Sequence, residues 1–349
     1  MKRFHYALIT AAFAALLLSA CGSADTDTAG SSGDNSLVVL NYGKYLDASA
    51  IKMFEQETGI KIKLEEYERP EEMYTKFSAG SISYDVVCTS DYMVERLIHE
   101  GKVAPIDFSS FSYYKNLDPA ILAAAEVFDP QNQYSMPYFY GMLGILYNTT
   151  MVSEEETESW NILWDDRYRD TIIMQNSVRD SFVPALRLLG RDINTEDETD
   201  LRDALSLLVE QKPLVYAYYV DETADEMIAG NAALALVYSG EAATAMESNA
   251  DLSYTVPKEG SNLWIDSWFI PKSCTNQTNA LKFLNFLCKD DIAEKNFEYV
   301  QYASPITSVV ENQDADVKNN EAVNPSSDTI KRCEIYKALS DDDSAKYTK

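Results

Sequence analysis

The sequence predicts an α/β protein of two lobes, with a mostly parallel sheet in each lobe and extended hinge strands that cross between them. From residue 36 onward, strand-like and helix-like segments alternate in the order βαβαβα, which is typical of a doubly wound sheet. Two segments without helical periodicity, 137–148 and 262–272, can carry the chain from one lobe to the other and back. A chain of 349 residues is long enough to enclose two hydrophobic cores.

The N-terminus has the pattern of an export signal over residues 1–20. Lys2 and Arg3 precede an apolar run, 6–18, which is shorter than the ~20 residues of a membrane-spanning helix. The run ends in Leu-Ser-Ala-Cys, which resembles the lipobox of bacterial lipoproteins and implies lipidation of Cys21 after cleavage. The alternative is an ordinary secretory signal with a coincidental cysteine. Residues 21–35 are rich in Gly, Ser and Asp and predict a flexible tether.

These features predict an exported protein that is lipid-anchored to the outer face of the cytoplasmic membrane, on the periplasmic side if the host has an outer membrane. Signal removal takes away Lys2 and Arg3 and no acidic residue, so the formal charge of −27 becomes −29. This acidity disfavours nucleic acid as a partner and attracts small cations, although acidic surfaces also serve solubility.

Histidine and cysteine chemistry have little support. His99 is the one histidine after the signal, and we expect it on an exposed helix face, so no metal site and no cofactor are predicted. The remaining cysteines are Cys88, Cys274, Cys288 and Cys333, none in a CxxC pair. A helix between Cys274 and Cys288 holds these two too far apart for a disulfide, and the other pairings stay open.

The first lobe can be followed element by element. The predicted order is strand 36–42, helix 47–59, strand 60–67, helix 70–80, strand 84–90 and helix 91–101. Asp47 is a suitable cap for the first helix and Gly59 a suitable stop, and proline and glycine bound the second helix. Ligands bind beyond the carboxyl ends of such strands. There the sequence places Tyr42 and Tyr45 after the first strand and Ser90, Asp91 and Tyr92 after the third.

The second lobe repeats this arrangement with charged residues. A strand at 171–174 is followed by 176–180, which carries Arg179 and Asp180 ahead of a helix at 181–190. The alternative is a helix start at which Ser177 or Asp180 only caps backbone amides. A further strand ends near Tyr238, with Glu241 just beyond, and the acidic tail 341–349 carries no motif and is expected to be solvated.

Asp266 lies between Trp264 and Trp268 in an otherwise apolar stretch. A carboxylate removed from water is costly unless a cation or hydrogen-bond donors meet it. The partner is either an internal salt bridge or a cation that arrives from outside.

A series of short motifs identifies a resemblance. In order they are NYGKY, FEQETGIKI, YDVV, SDY, NLDP, FDP, YSMPY, VPKEG, WIDS, LNFL and YASP. Together they resemble the spermidine/putrescine-binding proteins, which are extracellular solute-binding proteins of bacterial polyamine ABC importers, from about residue 37 to the C-terminus. The resemblance implies the Venus-flytrap fold of periplasmic binding proteins, with lobes 36–140 plus 265–305 and 141–264 plus 306–349.

The resemblance also implies a polyamine site, in which aromatic rings flank the hydrocarbon chain and carboxylates take the ammonium groups. It assigns Asp266 as the main amine-binding aspartate and Trp264 as the stacking tryptophan. The complete set is Tyr42, Tyr45, Ser90, Tyr92, Ser177, Asp180, Tyr238, Glu241, Trp264, Asp266, Tyr302 and Tyr336. Departures from the family pattern are Tyr42 and Tyr238 for tryptophan, Gly43 for a hydroxyl residue, Ser177 for an aspartate and Tyr336 for a glutamine. They leave the choice between putrescine and spermidine open.

The resemblance further implies a monomer that captures a polyamine and delivers it to a membrane permease, and that is not an enzyme. Three alternatives stay open. The same fold could bind ferric ion through the tyrosine pairs 113–114 and 218–219. A secreted hydrolase could use Asp180 with Asp266. The chain could also be a surface adhesin or sensor with a vestigial cleft.

Overall fold

The computed structural model describes residues 35–220 and 222–347. The predicted signal peptide, the lipidation site Cys21 and nearly all of the tether lie outside these residues, so these assignments remain predictions. Within the described ranges, no helix is both long and apolar enough to cross a membrane.

The described residues form a mixed α/β fold. The strands are β1 Ser36–Tyr42, β2 Lys61–Tyr67, β3 Val86–Thr89, β4 Ser135–Asn148, β5 Ile172–Gln175, β6 Val215–Tyr219, β7 Leu234–Tyr238, β8 Leu252–Thr255 and β9 Leu263–Phe269. The helices are α1 Ala48–Thr58, α2 Pro70–Ala79, α3 Asp91–His99, α4 Pro119–Ala125, α5 Val178–Leu188, α6 Glu198–Gln211, α7 Thr223–Ile228, α8 Ser239–Ser248, α9 Gln277–Leu287, α10 Asp290–Val300, α11 Thr307–Glu311, α12 Ala315–Lys318, α13 Ser327–Arg332 and α14 Asp341–Lys346.

The first six elements confirm the predicted alternation. Strand β1 pairs in parallel with both β2 and β3. The Asp47 side chain accepts the backbone N–H groups of Ser49 and Ala50 at the start of α1, which satisfies donors that a helix end leaves without partners. Gly59 ends the helix with φ 72°, a left-handed conformation that glycine adopts at little cost.

The sheet runs in the order β2-β1-β3-β9-β4-β7-β5-β6, with β8 beside β4. The groups β2-β1-β3 and β7-β5-β6 are parallel, whereas β9 and β4 are antiparallel to their neighbours. Strand β4 pairs with β9 up to Met142 and with β7 from Leu143 onward. The two lobes are therefore joined by crossing strands, as predicted. The lobe boundaries 36–140 with 265–305 and 141–264 with 306–349 remain a prediction.

The core is split in a way that fits this arrangement. A large apolar cluster surrounds β1, β3 and β9 and contains Trp268, while a second cluster contains Trp160, Ile172 and Leu234 beneath β5 and β7. Cys88, Cys274, Cys288 and Cys333 are all free thiols. The disulfide pairings that the sequence left open are absent from the described structure.

Two expectations for the second half were wrong. Helix α5 begins at Val178 and not at Ser181, so Arg179 and Asp180 lie in its first turn. The tail after Asp341 is not simply solvated, because α14 places Tyr347 in a buried position, where its hydroxyl donates to the carbonyl of Thr195 at 2.8 Å. The acidic composition of the tail did not indicate that one aromatic residue, Tyr347, would be buried.

Candidate functional site

Asp266 lies in β9 and is 9% exposed. Its Oδ2 accepts the hydroxyl of Tyr45 at 2.7 Å, and its Oδ1 accepts that of Tyr42 at 3.3 Å. Burial raises the pKa of this carboxyl to about 7, although the two hydroxyl donors act in the opposite direction. No cationic side chain of the described residues forms an ion pair with it, so an internal salt bridge does not explain the charge.

The two tyrosines are held by other rings. Tyr42 lies 4.5 Å from Tyr67, between ring centroids, and Tyr45 lies 5.4 Å from Phe139. Burial and the neighbouring Asp266 raise the pKa of both tyrosines well above the usual value of about 10. Both hydroxyls therefore stay neutral and donate hydrogen bonds at every physiological pH.

The start of helix α3 brings Ser90, Asp91 and Tyr92 to the same edge of the sheet. Ser90 is buried at the N-cap position and makes no capping bond through its side chain, and the Tyr92 hydroxyl donates to Glu71 at 3.1 Å. Asp91 is 1% exposed and accepts the backbone N–H of Ile265 at 3.2 Å. Burial raises its pKa to about 8. The site assignment omitted Asp91, although its place after the third strand was a usable signal.

Trp264 and Tyr302 form an aromatic corner. Their ring centroids lie 4.9 Å apart with the planes at 84°, and Tyr302 lies 6.3 Å from Tyr45. A Cβ atom at Gly240 would overlap the Tyr302 ring, so only glycine allows α8 to approach so closely. Glu241 follows in the first turn of α8, and burial together with the charge of Glu241 raises the pKa of Tyr302.

Asp180 is the second well-defined carboxylate. It is buried, its Oδ2 accepts the hydroxyl of Tyr238 at 2.5 Å, and its Oδ1 accepts that of Tyr336 at 3.0 Å. The guanidinium of Arg179 lies 4.0 Å from the centre of the Tyr336 ring. Ser177 occupies the N-cap position of α5 without a side-chain capping bond. Both residues do lie at the start of a helix, as the alternative has it, but Ser177 makes no capping bond and Asp180 accepts tyrosine hydroxyls.

Two of the predicted carboxylates, Asp266 and Asp180, are thus each met by two of the predicted tyrosines. Each oxygen of Asp180 and Asp266 accepts one tyrosine hydroxyl and keeps lone pairs for a further donor. The tyrosine pairs considered for iron lie elsewhere, since Tyr114 stacks on Phe108 at 4.4 Å and Tyr218 is exposed on the edge strand β6. Among the described residues, no group of three His, Cys, Asp or Glu side chains is placed to hold a metal ion.

Comparison with known proteins gives a consistent result. A family model for bacterial extracellular solute-binding proteins matches residues 49–325. The spermidine/putrescine-binding periplasmic protein of Escherichia coli K12 is 32% identical, over 96% of this chain and 93% of its own length. The putrescine-binding periplasmic protein SpuD of Pseudomonas aeruginosa is 26% identical, over 97% of this chain and 95% of its own length.

Solved structures share the fold. The spermidine/putrescine ABC transporter substrate-binding protein PotD of Streptococcus pneumoniae has a TM-score of 0.83 and 36% identity, and the match covers 90% of this chain and 96% of that chain. The lipoprotein Tp0655 of Treponema pallidum has a TM-score of 0.79 at 23% identity, which shows the fold alone, and it covers 90% of this chain and 97% of its own.

Proposed function

The chain belongs to the bacterial extracellular solute-binding proteins, and on that premise we propose that it captures polyamines and delivers them to an ABC importer. Spermidine and putrescine are both included. The ligand would lie in the cleft between the lobes and bring the protein to the permease in its closed form. We further propose that the protein acts as a monomer, is anchored through a lipid on Cys21 and catalyses no reaction.

The observation that carries this proposal is the environment of Asp266. The carboxylate is buried, two neutral hydroxyls meet it, and no cation of the described residues balances its charge. Such a carboxylate is costly in the free protein and is stabilised when an ammonium group arrives. A ligand ammonium is the missing partner.

The combination of rings and acids fits a polyamine better than a compact cation. A polyamine alternates ammonium groups with hydrocarbon, so its site has to alternate carboxylates with apolar or aromatic surface. Here Tyr45 and Tyr302 follow Asp266, and Tyr238 precedes Asp180. The relatives named above bind spermidine or putrescine by their names, which supports the same ligand class for this chain.

Capture follows from contacts that the ligand makes with both lobes. Asp266 lies on a crossing strand, whereas Asp180 and Tyr238 belong to the α5 and β7 region of the second lobe. A ligand that binds both carboxylates stabilises the closed form over the open one by its difference in affinity for the two. The permease then meets a closed, loaded protein.

Calorimetric titration of the lipid-free mature chain, residues 22–349, with putrescine, spermidine and spermine tests the proposal. We expect saturable one-to-one binding of at least one polyamine, with a Kd of about 1 μM or below. Ferric chloride serves as the comparison ligand. Absence of heat with all three polyamines, or a coloured iron complex in their place, would contradict the proposal.

A further inference from the structure

A hydrogen bond between helix α3 and Ala338 joins two residues that are not among those assigned to the polyamine site. The Glu95 Oε2 atom accepts the backbone N–H of Ala338 at 2.6 Å. Glu95 lies one helical turn beyond Asp91, on the helix that presents Ser90 and Tyr92 at its start. Helix α3 packs against β9, so this contact joins the first lobe and the crossing strand to a segment of the second lobe.

The far side of the contact is held in place by polar side chains. The Asn194 amide donates to the carbonyl of Ile335 at 2.9 Å and accepts the N–H of Lys337 at 2.8 Å. Arg179 donates to the carbonyl of Lys337 at 3.0 Å and to the Asn194 side chain at 2.8 Å. These bonds fix the backbone on both sides of residue 336. The position of the Ala338 amide therefore depends on the position of the proposed binding site.

Tyr336 connects this segment directly to Asp180. Its ring lies beneath the Arg179 guanidinium, and its hydroxyl donates to Asp180 at 3.0 Å. The segment 336–338 therefore contacts two residues. Tyr336, at its start, binds Asp180, a proposed ligand-binding residue of the second lobe, and Ala338, at its end, binds Glu95 of the first lobe. A change in the position of α3 relative to Asp180 has to break or strain this segment.

We propose that Glu95 is a latch for the closed form, an affinity-determining residue that does not touch the ligand. The identity of the ligand in this inference rests on the proposed function, whereas the Glu95 hydrogen bond is observed independently of it. A short hydrogen bond to an ionised acceptor, made only when the lobes meet, multiplies the ratio of closed to open protein. Apparent affinity falls in proportion when the closed fraction falls.

The latch also explains how closure can stay dependent on ligand. Closure brings Asp266 and Asp180 towards one another, and like charges oppose that approach until an ammonium group neutralises them. The single bond from Glu95 adds to ligand binding and does not replace it. Removal of the bond therefore lowers affinity without removing a ligand contact.

The test compares Glu95→Ala with Glu100→Ala as a matched control. Glu100 ends the same helix, but its carboxylate binds Arg96, Lys102 and Tyr74, all within the first lobe. We expect Glu95→Ala to weaken the Kd for putrescine or spermidine about tenfold, mainly through faster dissociation, with an unchanged Tm of the ligand-free protein. Glu100→Ala should lower that Tm and leave the Kd unchanged. Glu95→Gln, which keeps an oxygen acceptor, should restore part of the affinity.

Hydrogen exchange gives a second readout. Saturating polyamine should slow the exchange of the peptide that contains Ala338 in wild type and in Glu100→Ala, and slow it much less in Glu95→Ala. Wild-type exchange together with wild-type affinity in Glu95→Ala would overturn the latch, as would equal weakening by both substitutions. Failure of the wild-type protein to bind any polyamine would overturn the proposed function and the latch together, whereas wild-type affinity in Glu95→Ala would overturn the latch alone.

Discussion

In the proposed site, Asp266 combines a requirement of ligand binding with a cost to folding. In the folded chain, burial raises its pKa to about 7, whereas the unfolded chain returns it to the ordinary value near 4. The folded state therefore binds the proton more tightly than the unfolded state. Above about pH 7 the charged form carries the full cost, and the cost is relieved as the pH falls from 7 towards 4.

Replacement of Asp266 by Asn should separate the two effects. Near pH 8 the ligand-free variant should be more stable than wild type by about 2 to 4 kcal/mol, because it buries no charge. Near pH 5 that advantage should be largely gone, since wild-type Asp266 is then protonated. Polyamine affinity should fall by at least a hundredfold near pH 8 and by much less near pH 5, where the wild-type carboxyl is itself neutral. Denaturant unfolding and calorimetry measure both, and unchanged affinity would remove Asp266 from the site.

The same pKa predicts the pH dependence of capture. An ammonium ligand needs the ionised carboxylate, so the affinity of the wild-type protein should fall as the pH drops below about 7. Between about pH 8 and pH 5 we expect a loss of at least tenfold. Asp266→Asn should show weak binding with a flatter profile over the same range. Equal wild-type affinity at both ends would mean that another acid takes the ammonium.

At the level of elements, the start of α8 has to pass close to Tyr302. Gly240 permits the approach, since any side chain there would overlap the ring. We expect Gly240→Ala to displace Tyr302, to weaken polyamine binding about tenfold and to cost about 1 to 3 kcal/mol of stability, despite the better helix propensity of alanine. Ser248→Ala, at the exposed far end of the same helix, is the control and should change neither quantity.

Elements with strong local signals were predictable from the sequence. The Asp47 cap and Gly59 stop define α1, and the strand patterns of β1 and β2 match their observed bounds within one residue. The bounds of α5 were less certain, because Val178 and Arg179 carry no signal that separates a loop from a first helical turn. The short strand β8 pairs with β4, which is distant in sequence, so a local pattern could not indicate its partner.

For the proposed site, too, the sequence predicted the residues but not their contacts. Sequence motifs predicted the acids and tyrosines of the proposed site, but not which hydroxyl meets which carboxylate. The bond from Tyr336 to Asp180 joins residues 156 positions apart, and that from Tyr45 to Asp266 joins residues 221 apart. Asn194 and Glu95 have no motif at all, and only the folded arrangement reveals their bonds to the segment 335–338.

At the scale of the whole molecule, closure of two lobes that each carry a carboxylate favours a ligand with two charged ends. In the proposed site, putrescine would meet Asp266 with the ammonium at one end and Asp180 with that at the other, whereas butylamine has the same hydrocarbon chain with one ammonium. We expect butylamine to bind at least a hundredfold more weakly than putrescine, because one charged hydrogen-bonded contact is lost and closure is no longer stabilised. Small-angle scattering should show a smaller radius of gyration with putrescine and none of this compaction with butylamine.

Asp180→Asn completes this comparison as a thermodynamic cycle. If putrescine spans the two carboxylates, the variant should bind putrescine and butylamine with nearly equal affinity, since the second ammonium then meets no charge. Asp165→Asn is the control, because Asp165 pairs with Arg167 on the surface and its loss should leave the preference for putrescine intact. A full preference for putrescine in Asp180→Asn would assign the second ammonium to another acid, with Glu241 at the start of α8 the next to substitute.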